Sequence, residues 1–131
     1  MKRKILIIDD DYAVLEILNE WLSEDGFEVN AVPETNNVFD LIKKFNPSLV
    51  IVDYLLKGLN GGELCQQIKR SAKFKKLPVI IFSAFPENVL SLDRFQCDLF
   101  IQKPFDLYLL TRKINELILL NKVVCAGHLA S

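Results

Sequence analysis

Short, unbroken apolar runs alternate along this chain with amphipathic stretches of helical period, and that alternation sets narrow limits on its fold. Ile5-Leu6-Ile7-Ile8 and Leu49-Val50-Ile51-Val52 contain no polar residue. A strand with one wet face alternates apolar and polar side chains, whereas a continuous run suits a strand covered on both faces. The stretch from Leu77 to Phe82 reads as another buried strand, and Leu99-Phe100-Ile101 as a brief one. Phe27 to Val32 is more polar and fits a strand at an edge.

The intervening segments read as helices. Val14, Leu15, Leu18, Trp21 and Leu22 follow a capping Asp11 and stop at Asp25-Gly26. Val38, Leu41, Ile42 and Phe45 follow Thr35 or Asn36 as cap and are broken by Pro47. Leu64, Cys65 and Ile68 mark a third helix, and Leu110, Ile114, Leu117 and Ile118 mark a last one capped by Asp106. Pro86 to Phe95 is poorly periodic and reads as a short helix. Strands that alternate with helices predict an α/β protein: a doubly wound, five-stranded parallel sheet with helices on both faces. In such a sheet the first strand lies between the second and the third. The length of 131 residues suits one domain. We place it at residues 1–121 and expect the aperiodic segment 122–131 to be a loosely ordered tail.

Sixteen basic against seventeen acidic residues leave a net charge of −1, which excludes a strongly basic nucleic-acid footprint. Cys65, Cys97 and Cys125 form no Cys-x-x-Cys pair and make no familiar zinc set with His128, so reduced thiols are expected. The basic start Met1-Lys2-Arg3-Lys4 leads into only four apolar residues before Asp9-Asp10-Asp11. That is neither a signal peptide nor a membrane span, and a cytoplasmic protein is expected. The run Lys69, Arg70, Lys73, Lys75, Lys76 reads as a solvated helix end.

Open parallel sheets gather their chemistry beyond the carboxyl ends of the strands. There stand Asp9-Asp10-Asp11 after the first strand, Asp53 after the third, Ser83-Ala84 after the fourth and Gln102-Lys103-Pro104 after the fifth. With the first strand central, Asp9, Asp10 and Asp53 converge. Like charges at 4 Å repel by roughly 4 kcal/mol at an effective dielectric of 20, so such a cluster calls for a raised pKa or a bound cation. Magnesium, or manganese in its place, suits oxygen donors and keeps open positions for phosphate. Lys103 supplies a point charge for a phosphoryl oxygen, Ser83 a hydroxyl, and a carboxylate can itself become phosphorylated.

Five segments carry a resemblance to the receiver domain of two-component response regulators, the small chemotaxis regulators included. They are Ile5 to Asp11, Leu49 to Leu56, Asn60-Gly61, Val79 to Ala84 and Phe100 to Phe105. The resemblance implies a flavodoxin-like fold with strand order 2-1-3-4-5. It implies Asp53 as phosphoacceptor, Asp10 and Asp9 as metal-binding acids, and the Leu55 backbone carbonyl as a further metal ligand. Ser83 becomes the switch hydroxyl, Phe100 the switch aromatic, Lys103 the site lysine and Pro104 the proline of a cis peptide. The implied function is a phosphorylation-controlled switch rather than an enzyme. A histidine kinase or phosphotransfer protein supplies the phosphoryl group, and an unknown downstream protein reads a changed face. Neither a membrane nor nucleic acid is bound by the chain, and a phosphorylation-dependent dimer stays open. Two departures stand out: Lys57 replaces a customary proline, and the interval from Ser83 to Lys103 is shortened. Two other readings remain. One is a receiver-like scaffold that is never phosphorylated. The other is a phosphatase of the haloacid-dehalogenase type, with Asp9 as nucleophile and Asp11 as general acid.

Overall fold

The computed structural model describes residues 2–85 and 96–130, with side chains to residue 121. Its strands are β1 (Lys4–Ile8), β2 (Glu28–Val32), β3 (Leu49–Asp53), β4 (Val79–Ser83) and β5 (Leu99–Gln102). They form one sheet in the order β2-β1-β3-β4-β5, and every neighbouring pair is parallel. The helices are α1 (Tyr12–Glu24), α2 (Val38–Phe45), α3 (Gly61–Arg70) and α4 (Leu107–Ala130). The short helix expected over Pro86 to Phe95 lies outside the described residues.

The unbroken apolar runs are buried on both sides, with successive side chains sent to opposite faces. Ile5, Ile7, Leu49, Ile51, Ile80 and Phe82 pack with Leu15, Leu18 and Leu22 of α1 and with Leu110, Ile114 and Ile118 of α4. Leu6, Ile8, Val50, Val52, Val79 and Ile81 pack with Val38 and Ile42 of α2 and with Leu64, Cys65 and Ile68 of α3. Fully burying one such side chain contributes about 1.5–3 kcal/mol, so these two layers dominate the stability. The more polar β2 lies at an edge and stays partly exposed. Cys65 and Cys97 are reduced, and burial pushes the Cys65 thiol up to about 12, which keeps it inert.

Helix caps follow local hydrogen-bonding chemistry. The Asp11 carboxylate accepts the Ala13 N–H, and that of Asp106 accepts the N–H groups of Tyr108 and Leu109. The cap of α2 is Asn37 rather than Thr35 or Asn36: its side chain accepts the N–H groups of Phe39 and Asp40, while Thr35 Oγ1 accepts the N–H of Asn37 itself. Before Pro47, that helix closes on Asn46 in the left-handed conformation, with φ 54°. Residues 122–130, expected as a tail, continue α4 as helix. No proline, and no glycine before Gly127, interrupts the run from Leu107.

One member of the basic run is not solvated. The Lys69 ammonium is nearly buried; it pairs with Asp98 Oδ2 at 2.6 Å and donates to the Leu77 carbonyl at 2.8 Å. The same Asp98 oxygen accepts the Val79 N–H at 2.7 Å. This arrangement fastens the end of α3 to the start of β4 and to the residue preceding β5. Asp98→Ala will therefore destabilise the fold by about 1–3 kcal/mol in urea unfolding, because it strands Lys69 and an amide while the one-third-exposed site admits some water.

Candidate functional site

The strand register brings four chain segments to one rim. Ile8 pairs with Val52, Asp53 with Phe82, and Ser83 with Gln102. Asp9, Asp53, Ser83 and Lys103 are each the last residue of a strand or the first beyond one, so they converge at the carboxyl edge.

Asp9 is 1% exposed and Asp53 6%, although both are acids. The Lys103 ammonium stands between them, donating to Asp9 Oδ2 at 3.0 Å and lying 3.0 Å from Asp53 Oδ1. Asp9 Oδ1 accepts the Asp11 N–H at 2.9 Å. Burial, then the charge of Asp9, raise the Asp53 pKa, and Lys103 only partly opposes them. Burial alone would lower the Lys103 pKa, but its hydrogen bonds to Asp9 and Asp53 carry the net shift upward.

Asp10 completes the cluster from an exposed position. One carboxylate oxygen from each of Asp9, Asp10 and Asp53 lies within 4.8 Å of the others, a spacing that could hold a metal ion. Three carboxylates face one ammonium, and that surplus of hard, negative oxygen donors fits a divalent cation of the magnesium type. Leu55 stands in the loop two residues past Asp53, with its side chain largely exposed.

Ser83 is buried at the end of β4. Its Oγ accepts the Phe85 N–H at 2.9 Å, and its carbonyl accepts the Lys103 N–H at 2.7 Å. Phe100, on β5, is half-buried against the second layer. It lines a groove of about 300 Å³ with Pro104, Phe105 and Leu109, removed from the carboxylates. The Lys103–Pro104 bond is cis.

One feature of this rim goes beyond what residue types and spacing indicate. A Cβ on Gly61 would collide with the Asp53 carbonyl oxygen, and the Gly61 N–H donates to the Tyr54 carbonyl at 2.8 Å. The start of α3 is thus pressed onto the end of β3, which only glycine permits. Asn60-Gly61 carried the signal, since Asn60 caps α3 by accepting the Glu63 N–H at 2.8 Å. Asp11 turns its carboxylate to the helix cap, as expected from its place before α1, and is not part of the three-acid cluster.

Among proteins with these features, the family profile "Response regulator receiver domain" matches residues 5–115. The chain belongs to that family, a family of two-component signalling modules in which phosphoaspartate and Mg²⁺ are general features. It is similar to the receiver domain of a signal transduction histidine kinase from Syntrophus aciditrophicus, at 26% identity and a TM-score of 0.81, covering 88% of this chain and 89% of that one. A CheY-like receiver domain protein from Methanospirillum hungatei gives 24% identity and a TM-score of 0.82, covering 93% and 98%. The chemotaxis regulator CheY4 of Vibrio cholerae gives 16% and 0.81, covering 89% and 99%. At those lower identities the last two show the shared fold alone. Among the described residues no helix is long and apolar enough to cross a membrane.

The raised Asp53 pKa fixes a sign. A carboxyl group whose folded pKa exceeds its ordinary 3.8 opposes folding once ionised, and that penalty is absent below 3.8. Without divalent cations, Asp53→Asn will stabilise the protein at pH 7 by on the order of 1 kcal/mol, because removing a buried charge, and with it the repulsion by Asp9, outweighs removal of the Lys103 ion pair. The gain will shrink as the pH falls through the folded pKa and vanish at lower pH, as thermal unfolding across pH will show.

Proposed function

We propose that this domain is a phosphorylation-controlled switch whose phosphoacceptor is Asp53. The observation that supports this most is the Lys103 ammonium held 3.0 Å from both Asp9 and Asp53, beside the exposed Asp10. Asp9, Asp10 and Asp53, with the Leu55 carbonyl, would hold Mg²⁺ or Mn²⁺. Bound there, the cation supplies positive charge to the phosphoryl oxygens as transfer proceeds.

A histidine kinase or phosphotransfer protein in the cytoplasm is the donor. An Asp53 carboxylate oxygen attacks phosphorus, the phosphorus–nitrogen bond of the donor phosphohistidine breaks, and the departing imidazole nitrogen keeps the electron pair and takes up a proton. Asp53 reacts in its ionised form. Lys103 exchanges its pairing with Asp53 for one with a phosphoryl oxygen, retaining Asp9 as its anchor. The Ser83 hydroxyl turns from the Phe85 N–H toward the new group, and Phe100 changes rotamer. The two sides of the switch then differ in their interactions with a downstream protein, which is what a population shift requires.

Incubation with acetyl phosphate and Mg²⁺ will add the mass of one phosphoryl group to the wild type and none to Asp53→Asn. Lys103→Ala will slow the addition by on the order of 10²-fold. An unmodified wild type, under conditions that modify a known receiver, would establish the scaffold reading instead. Leu55 and Phe85, both exposed and apolar at the rim, would hinder the water that removes the phosphoryl group. Leu55→Asn is accordingly expected to shorten the lifetime of the phosphorylated form several-fold, read by mass spectrometry after removal of the donor.

A further inference from the structure

Resting on the reading of the acidic cluster just given, we infer that Lys57 is a second counter-charge at the mouth of the site, set there to weaken divalent-cation binding in the unphosphorylated protein. A hollow of about 130 Å³ opens beside the cluster, lined by Asp10, Tyr12, Pro33, Glu34 and Lys57. Asp10 belongs both to this hollow and to the three-acid cluster. Lys57 is the single cation among the lining residues and opposes two carboxylates.

The surroundings make that charge matter. From Ile5 to Ile42 the chain has ten acidic residues and no lysine or arginine. Apart from Lys4 at the opposite end of β1, the elements flanking Asp10 thus offer no positive charge of their own, and the one beside it comes from the loop after β3. Lys57 is exposed, and among the described residues it has no ion pair. Its neighbour Gly58 has φ +83° and nothing within 4 Å of where a Cβ would stand, so the loop turns in open space. A flexible ammonium there can lean toward Asp10 without being fixed by a structural partner.

Lys103 and Lys57 consequently differ in kind. Lys103 is locked between Asp9 and Asp53 and forms part of the site's architecture. Lys57 acts from the solvent side through its field. It reduces the negative potential at Asp10 and repels a doubly charged ion twice as strongly as a singly charged one. Its exposure means that salt screens the effect.

The test is a MgCl₂ titration of the full chain at fixed low ionic strength, followed by the backbone amide NMR shifts of Tyr54 and Leu55. Wild type, Lys57→Arg, Lys57→Met and Lys57→Glu are compared. Lys57→Met is expected to bind Mg²⁺ about two- to five-fold more tightly, Lys57→Glu more tightly still, and Lys57→Arg like the wild type, with the differences closing in high salt. Equal affinities in wild type and Lys57→Met would overturn the inference. So would Lys57→Arg moving together with Lys57→Met, which would mean that loop conformation governs the affinity. In both cases cation binding itself persists and the reading of the cluster stands. A wild type with no saturable shift overturns that reading along with the role of Lys57.

Discussion

Everything at the carboxyl edge of this sheet depends on one ammonium group placed between two buried carboxylates. Asp9 and Asp53 come from adjacent strands and are nearly sealed from water, and a buried charge without a partner is costly. Lys103, carried on the strand at the far edge, reaches both at 3.0 Å. Charged hydrogen bonds of this length compensate part of the desolvation, and the remaining negative charge is what makes the rim attractive to a cation. The cluster is therefore held short of neutrality by the fold itself: the strand order puts β1 beside β3, and the register aligns their ends.

The two apolar layers make that arrangement dependable. Side chains of alternating parity from β1, β3 and β4 fill one layer under α1 and α4 and another under α2 and α3. A slip of one residue in any central strand would exchange the layers and displace the polar residue at its end. The packing that stabilises the domain thus also sets the spacing of its carboxylates. The close approach at Gly61 adds a further restraint, since it seats α3 directly on the Asp53 carbonyl.

Much of this was legible in the sequence because its signals are local. Continuous apolar runs marked the buried strands, and polar residues right after them marked the rim. Boundaries shifted where backbone chemistry intervened: β4 begins at Val79 and not at Leu77, because the Leu77 N–H closes a turn onto the Phe74 carbonyl and Pro78 has no N–H to offer. The cap of α2 was expected at Thr35 or Asn36 and falls on Asn37, because residue type does not separate three capping residues and only the frame of Val38 and Ile42 decides. The Lys69–Asp98 pair was invisible for a different reason. It joins residues far apart in sequence, and a lysine within a basic run carries no sign that its ammonium is turned inward. Asp11 shows the converse: its capping of α1 was legible from its place just before the helix, and its side chain accepts the Ala13 N–H.

The hydrogen bond from the Lys103 N–H to the Ser83 carbonyl carries a mechanical implication. It closes the β4–β5 ladder at its last pair, Ser83 and Gln102. The backbones bearing the hydroxyl and the amine are stitched into a single stiff plate, and neither can travel without tearing the other. Any response at this edge must start as rotation about side-chain bonds, a motion of small amplitude and low inertia, before it can spread outward along the strand.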